Sequence, residues 1–250
     1  MIGHKKLNFL IGIVFFGFAF TISEIDKSYS DGKQAYENGQ FELAIQNYEL
    51  ILKSKIESPE LYYNLGNAYY RNGSISGAVW AFEKCIKLSP GDGNAEYNLK
   101  LVNVKVKDRM EIPSPPFYLK TYKVLKQSLT SNGWILLFSF LFLAFSSFIA
   151  LTKIFQLKFL EKIVSLSGVV LIFVILIGAN AVWDNYSVRE GIIMTKTVDA
   201  YSAPKLHSTH LFMVHEGLKV SLKNSTEDWI EIELIDGKKG WVTLESVREI

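Results

Sequence analysis

Two long stretches without charge dominate the hydrophobic pattern of this 250-residue chain. Trp134–Leu151 and Val164–Trp183 consist of apolar and small polar residues, and neither contains Asp, Glu, Lys, Arg or His. A helix of about 20 residues, rising about 1.5 Å per residue, crosses the roughly 30 Å hydrocarbon core of a bilayer. A tryptophan begins the first run and another ends the second, as interfacial residues do. The pattern predicts two membrane-spanning helices within residues 129–183.

The two helices are expected to anchor the chain, because proton relays and ion pathways need ionisable residues inside the membrane. The N-terminus has the form of an export signal: a basic start at residues 4–6 precedes the apolar run Leu7–Phe20. This predicts a signal peptide or signal anchor over residues 1–23, either cleaved near Ser23 or retained as a third span. In both cases the chain after Glu24 is exported.

The lysines around the spans give conflicting indications of the orientation of the chain in the membrane. Lys153, Lys158 and Lys162, against Glu161, would place the loop between the spans in the cytoplasm by the positive-inside rule. Three further lysines flank the first span on the side that would be exported, namely Lys120, Lys123 and Lys126. We give the export signal precedence, so that the segments before and after the hairpin lie on the outer side.

Residues 24–108 repeat themselves with a period of 34 positions. Apolar residues recur in steps of three and four, which predicts helices, and Asn-Gly pairs supply tight turns between them. A period of this length is typical of stacked helix–turn–helix units. The matched pairs are Gly32/Gly66, Tyr36/Tyr70, Asn38/Asn72, Gly39/Gly73, Ala44/Ala78, Glu49/Glu83 and Lys53/Lys87.

This segment resembles the tetratricopeptide repeat family. The best unit covers residues 59–92, a weaker unit covers residues 25–58, and a third stops after one helix that begins at Gly93. With about two and a half units the stack is short of the usual three, so a partner or a second copy would complete it. In the best unit the family's characteristic positions hold Tyr62, Leu65, Gly66, Tyr69, Ala78, Phe82, Cys85 and Pro90.

The resemblance implies a concave groove that accepts a peptide or a partner helix. Asparagine amides can bond the backbone of a ligand, and tyrosine rings add contact area at low entropic cost. The alternative is that these asparagines only stabilise helix packing or face water. The candidate groove residues are Lys33, Tyr63, Asn64, Asn67, Tyr70, Arg71 and Asn98.

Residues 109–128 are predicted to be a proline-rich linker and a juxtamembrane segment. Pro113, Pro115 and Pro116 favour an extended, stiff spacer. In Phe117–Gln127 the apolar residues fall on one helical face and the lysines elsewhere, which fits either an interfacial helix or a helical extension of the first span.

In residues 188–250 the pattern changes to alternating apolar and polar positions. Thr195–Tyr201, Leu218–Leu222 and Trp229–Leu234 read as strands, and Asp236-Gly237 as a hairpin turn. About five short strands in such a segment predict a small all-β barrel.

The order of the sequence blocks in this segment resembles bacterial SH3-like domains, which bind protein segments or cell-wall peptides. The final block, Gly240-Trp241-Val242, carries the likeness best. The resemblance implies that aromatic residues bind the partner, with Tyr201, Phe212, Trp229 and Trp241 as candidates. In such barrels Trp241 is the one expected to belong to the core.

Little in the sequence favours catalysis. His207, His210 and His215 fall across a loop and a strand without a cysteine nearby, so no metal site is predicted. Cys85 occupies a small-residue packing position, which predicts a buried, inert thiol. The net charge of +2 gives no reason to expect a nucleic-acid partner. We predict a non-enzymatic protein that needs no cofactor.

Taken together, the pattern predicts a multi-domain membrane protein: an α-α tetratricopeptide solenoid, a transmembrane helical hairpin, and a small all-β SH3-like barrel. This order is similar to that of the BatE proteins of the Bacteroides aerotolerance operon. The resemblance implies a scaffold in the bacterial inner membrane, with both terminal domains in the periplasm. It also implies partners among membrane-anchored von Willebrand factor A-type proteins of the same operon, in an aerotolerance or stress-related system.

Two hypotheses from other classes stay open at this point. The first is a sensor or anchor that binds peptidoglycan through the SH3-like domain. The second is an enzyme that uses the histidine cluster, which would require a tightly bound metal.

Overall fold

A computed structural model describes residues 24–109, 116–156 and 158–250 of the chain. The predicted export signal at residues 1–23 and most of the proline run lie outside the described residues. The described part contains a helical repeat domain, a pair of long apolar helices and an all-β domain. The predicted fold class is therefore confirmed.

The repeat domain consists of helices that pack in sequence, each against the next. Ser58 begins the third of them, because its hydroxyl accepts a hydrogen bond from the Leu61 N–H at 3.1 Å and Pro59 fits the first helical turn. Asp92 caps the fifth in the same way. The helices are α1 (24–37), α2 (Phe41–Lys53), α3 (Pro59–Arg71), α4 (Ile75–Leu88) and α5 (Gly93–Asn103).

The 34-residue period corresponds to a repeated packing contact. A Cβ added at Gly66 would lie 2.7 Å from the Phe82 ring, and a Cβ at Gly32 would lie 2.7 Å from the Tyr48 ring. Glycine is needed at both places because an aromatic ring of the following helix rests directly on the backbone. Gly73 has a φ of +83° in the turn between α3 and α4, a conformation that glycine adopts without strain.

Among the residues that the structure describes, two helices are long and apolar enough to cross a membrane: α7 (Ser131–Ile154) and α8 (Glu161–Ser187). They pack side by side, and only 6% of the most apolar stretch of each is buried within the protein. Gly178 allows close approach, since a Cβ there would lie 2.2 Å from the Phe138 ring. These features fit a hairpin whose outer surface is solvated by lipid.

The segment before the hairpin is a separate helix, α6 (Phe117–Lys126), and not a continuation of α7. Thr130 begins α7 by accepting a hydrogen bond from the Gly133 N–H at 3.1 Å. Tyr122 bonds Asn180 at 3.0 Å, and Lys126 forms an ion pair with Asp184. Tyr122 and Lys126 are four residues apart, and their partners Asn180 and Asp184 are four residues apart in the same direction. The helix α6 therefore runs parallel to the last turns of α8. The arrangement fits neither of the two alternatives left open, because α6 is separate from α7 and lies along a span, not in the plane of the membrane surface.

Within residues 188–250, all of which are described, seven antiparallel strands form one sheet in the order β3-β2-β6-β5-β4-β1-β7. The predicted hairpin joins β5 to β6, with Gly237 at a φ of +86°. One face of the sheet encloses a core that includes Val214, Ile230 and Val242. The strands are β1 (Glu190–Ile193), β2 (Thr197–Tyr201), β3 (His210–His215), β4 (Lys219–Ser225), β5 (Trp229–Glu233), β6 (Lys239–Thr243) and β7 (Val247–Glu249).

The repeat domain and the β-domain share a hydrophobic core. Ile192 and Ile250 of the β-domain are buried in the same cluster as Phe82 and Val102 of the repeats. Gly217, in the turn between β3 and β4, approaches Val106 so closely that a Cβ would lie 2.9 Å from its side chain. The two modules therefore form one packed body, which the sequence pattern did not predict.

Candidate binding surfaces and the contact that joins them

A ladder of tyrosine and asparagine side chains connects the first helices of the repeats. The Asn64 amide on α3 donates to the Tyr29 hydroxyl on α1 at 2.8 Å. The Asn98 amide on α5 donates to Asn67 on α3 at 2.9 Å and to the Tyr63 hydroxyl at 3.4 Å. We call the surface formed by α1, α3 and α5 around these residues the ladder face.

The hydrogen bonds of the ladder recur every 34 residues, so the residues that would continue it on α5 can be identified. Tyr29 and Tyr63 occupy equivalent positions, and so do Asn64 and Asn98. The next equivalents of Tyr63 and Asn67 are Tyr97 and Leu101, which are 62% and 44% exposed on α5. The ladder face thus ends in an open apolar edge. The candidate residues from the sequence did not include Tyr29, Tyr97 or Leu101, although the 34-residue offset would have found them.

Four of the seven predicted groove residues, Tyr63, Asn64, Asn67 and Asn98, meet in the ladder. Their hydrogen bonds join neighbouring helices, so the asparagines serve helix packing, and the Tyr63 ring packs against Phe82 and the core.

The other three groove candidates lie elsewhere. Tyr70 lies beneath Lys105, whose ammonium is 4.4 Å from the ring centroid. Arg71 stacks on Phe41 at the start of α2, with 4.7 Å between the guanidinium carbon and the ring centroid. Lys33 is exposed on α1.

Three of the four aromatic candidates of the β-domain lie together on the face of the sheet opposite its core. Tyr201 pairs across the strands with Trp241, and its ring lies 5.9 Å from that of Trp229 in an edge-to-face arrangement. Phe212 is not part of this group, because it packs against the core near Gly240. Trp229 is the most buried of the three at 8% exposure, whereas Trp241, which was expected in the core, is half-buried on the outer face.

Acidic and amide groups border this aromatic face. Glu231 lies opposite Trp241 across β5 and β6 and accepts a hydrogen bond from the Asn224 amide at 2.7 Å. Asp199 lies 3.2 Å from the His210 ring on the far side of Tyr201. Aromatic rings with a carboxylate beside them suit a peptide that carries an apolar and a basic group.

The histidines of the β-domain do not converge. His215 contacts Asp108 at 2.9 Å and Lys107 at 2.8 Å, both from the segment after α5, whereas His210 lies near Asp199. Across the described residues, no three His, Cys, Asp or Glu side chains are placed to hold a metal ion. Cys85 is buried, and burial, with a smaller contribution from Asp92, raises the pKa of its thiol to about 11. Such a thiol carries little nucleophilic thiolate near neutral pH.

An ion cluster joins the two modules beside their shared core. Arg248 on β7 donates two hydrogen bonds to the Glu49 carboxylate on α2, at 2.8 and 2.9 Å. Its guanidinium carbon lies 3.4 Å from the centroid of the Trp80 ring on α4. The Tyr69 hydroxyl donates to the same carboxylate at 2.6 Å. This fork-shaped pairing and stacking is a geometry that lysine would not reproduce.

The electrostatics of the cluster favour the charged pair. Burial raises the pKa of Glu49, but the hydrogen bonds from Arg248 and Tyr69 outweigh it, so that the pKa is lowered. Burial alone would lower the pKa of Arg248, but the contacts with Glu49 raise it. Two further hydrogen bonds run to backbone carbonyls: Trp80 donates to Glu249 at 2.9 Å, and Lys87 donates to Ile250 at 2.9 Å.

The two candidate surfaces of the joined body belong to elements or element faces outside the contact between the modules. The β-domain contacts α2, α4 and the segment after α5, mainly through β1, β7 and the turn between β3 and β4. The ladder face belongs to α1, α3 and α5, and the aromatic face belongs to β2, β5 and β6. Neither candidate surface is used by the contact between the modules.

Comparison with known families identifies the two modules. Residues 32–73 match the model described as TPR repeat, and residues 59–92 match the tetratricopeptide repeat model. Residues 195–249 match the bacterial SH3 domain model. Modules of both kinds are typically non-catalytic and bind other molecules.

Among curated proteins, a stretch of 73 residues is 29% identical to the BBSome complex member BBS4 of Bos taurus. The match covers 29% of this chain and 14% of that protein, so the chain spans a small part of the relative's length. This relative is similar to a segment of the chain and does not represent the whole.

We predict that Arg248→Ala destabilises the full chain by about 2–4 kcal/mol, because it leaves the Glu49 carboxylate unpaired and removes the stack on Trp80. The matched control is Arg189→Ala, which removes a similar two-bond pair with Glu249 from an exposed site and should cost less than about 1 kcal/mol. Thermal unfolding of both variants in the same detergent measures the difference. Equal losses of stability would show that the cluster does not hold the modules together.

Proposed function

We propose that this protein is a membrane-anchored, non-enzymatic scaffold that assembles a periplasmic protein complex through its ladder face and its SH3-like domain. The observation that carries the proposal is the packed body itself, which holds two separate candidate surfaces in a fixed arrangement beside a membrane hairpin. Tethering two binding modules to one membrane raises the effective concentration of their partners.

The open edge of the ladder face supports a helical or extended protein partner. Tyr97 and Leu101 on α5 stand where a further repeat would cover them, and Val104 continues the exposed stripe at 68% exposure. Spacings of four and three residues present one apolar face that an amphipathic helix of a partner would cover. The proposed groove keeps four of the seven residues first chosen from the sequence, namely Tyr63, Asn64, Asn67 and Asn98.

The similarity to BatE proteins supports a more specific proposal. In it, the partners are membrane-anchored von Willebrand factor A-type proteins of the same operon, and the setting is an aerotolerance or stress-related system in the bacterial inner membrane. The shared core requires both modules to lie on the same side of the membrane. A hairpin of two spans meets this requirement, and export by residues 1–23 would make that side the periplasm.

The partner proposal predicts co-purification of the von Willebrand factor A-type proteins with the full chain from mildly solubilised native membranes. The affinity tag belongs in the loop between α7 and α8, because Ile250 at the C-terminus is buried. The double substitution Tyr97→Ala, Leu101→Ala should reduce recovery of the partners at least tenfold, since truncating two interface residues costs about 1–2 kcal/mol each.

The control for this experiment is Leu50→Ala, an equally exposed leucine on α2, which should leave recovery unchanged. Thermal unfolding should show that neither variant is destabilised by more than about 0.5 kcal/mol, because the side chains are exposed. Recovery of the chain alone under several mild detergents would contradict the proposal.

The orientation predicts which new cysteines a membrane-impermeant maleimide labels in spheroplasts. The native Cys85 is buried and should give little background. Glu227→Cys, in the exposed turn between β4 and β5, should be labelled in intact spheroplasts, and Phe159→Cys, in the loop between the spans, only after lysis. The reverse pattern would place both modules in the cytoplasm and would also exclude contact with the cell wall.

The second candidate function is recognition of peptidoglycan by the aromatic face of the SH3-like domain. The acidic border beside Tyr201, Trp229 and Trp241 favours it, because cell-wall peptides carry amino groups. The full chain should then be retained on purified sacculi, and Trp241→Ala should abolish retention, whereas Tyr118→Ala, at an exposed tyrosine on α6, should not. The full chain is required because Ile192 and Ile250 lose their cover when the β-domain is isolated. Absence of retention by the unaltered chain would remove this function.

A further inference from the structure

A cavity of about 490 Å³ lies where the joined modules meet the membrane helices. The body contributes its upper wall from α4, β4 and the C-terminus, and α6 contributes one side. The start of α7 and the end of α8 contribute the lower wall. The charged and aromatic residues of its lining include Lys87, Lys123, Lys126, Lys219, Trp134 and Asp184.

The cavity is placed at the level of lipid headgroups. Trp134 opens the uncharged run of α7, and Asp184 is the first charged residue after the uncharged run of α8. Both line the cavity, so that it lies at the boundary between the hydrocarbon core and the polar region of a bilayer. The helix α6 exposes Phe117 and Val124, which lie seven residues apart and so on one face, and this face suits contact with acyl chains.

Four lysines and the three carboxylates of Glu83, Asp184 and Glu190 line the cavity. Of its four lysines, Lys126 pairs with Asp184, and Lys219 pairs with Glu83 and Glu190. Within the described part of the chain, neither Lys87 nor Lys123 lies within ion-pair distance of an Asp or Glu carboxylate. The ammonium of Lys87 donates to the main-chain oxygen of Ile250 at 2.9 Å, and Glu190 and Glu249 also attract it, so that Lys123 is the lysine of the cavity whose charge is least offset.

Apolar side chains complete the lining. Ile86, Leu129, Trp134, Ala181 and Val188 border the same space as the lysines. A free anion would satisfy the lysines but would leave these surfaces in contact with water. A ligand with an anionic head and a hydrocarbon chain satisfies both, and phospholipids are the ligands of this kind at a membrane surface.

We propose that this cavity binds an anionic phospholipid, with its phosphate against Lys87 and Lys123 and the start of its acyl chains along Leu129, Trp134 and Ala181. The proposal needs α7 and α8 to lie in a bilayer, and it is independent of the protein partners proposed above. It also gives a role to lysines whose position conflicts with the positive-inside rule. Lys126 is paired within the protein, and Lys123 faces a lipid phosphate.

The test titrates the purified full chain in a charge-neutral detergent with short-chain phosphatidylglycerol, phosphatidylcholine or inorganic phosphate, and measures bound ligand by native mass spectrometry. We expect phosphatidylglycerol to bind more tightly than phosphatidylcholine and not to be displaced by inorganic phosphate at equal concentration. Lys123→Gln should weaken phosphatidylglycerol binding about fivefold, and the addition of Lys87→Gln should weaken it about twenty-fivefold in total, since a lysine near anionic lipid contributes about a factor of five.

The matched control is Lys120→Gln, which removes a lysine of α6 that does not line the cavity and should leave binding unchanged. Lys123 is exposed and makes no ion pair among the described residues, so its substitution alone tests the site even where Lys87→Gln disturbs the contact with Ile250. Equal binding of the two lipids, an equal loss in Lys120→Gln and Lys123→Gln, or full displacement by inorganic phosphate would each overturn the proposal.

Discussion

The pairing of Arg248 with Glu49, stacked on Trp80, is the interaction on which the arrangement of this protein depends. It crosses from the last strand of the chain to the second helix, some 200 residues earlier in sequence. The apolar contacts of Ile192 and Ile250 beside it supply most of the burial, while the fork-shaped ion pair fixes how the two modules are oriented. A charged pair that is mostly removed from water would be costly if the contact opened, so the modules are expected to move together.

This docking has consequences at the membrane. Because the modules before and after the hairpin share one core, the number of spans between them must be even, and α7 and α8 satisfy this condition. The β-domain also contacts the second helix of each full repeat, α2 through Glu49 and α4 through Trp80. A short stack of repeats is thereby stabilised from the side, and its ladder face is left for a partner.

Many residues of the candidate surfaces could be predicted from particular features of the sequence. The 34-residue offset relates Tyr29 to Tyr63 and Asn64 to Asn98, and the structure repeats their hydrogen bond at the same offset. Strand alternation placed Tyr201 and Trp241 within strands, but it showed neither that these two strands pair nor which face of the sheet each ring occupies. Phe212 faces the core, and Trp229 is buried beneath Tyr201 on the other side, because strand pairing and not composition determines which rings meet.

The sequence by itself determined the local elements: the spans from uncharged length, the repeats from their period, and the strands from alternation. These are properties of single segments, since each follows from how one helix or strand buries its apolar face. Only the tertiary structure decided that the modules dock, that α6 runs beside α8, and that Lys87 and Lys123 face a common cavity. Those contacts join residues tens to hundreds of positions apart, and no periodicity within one segment encodes which distant surface it will meet.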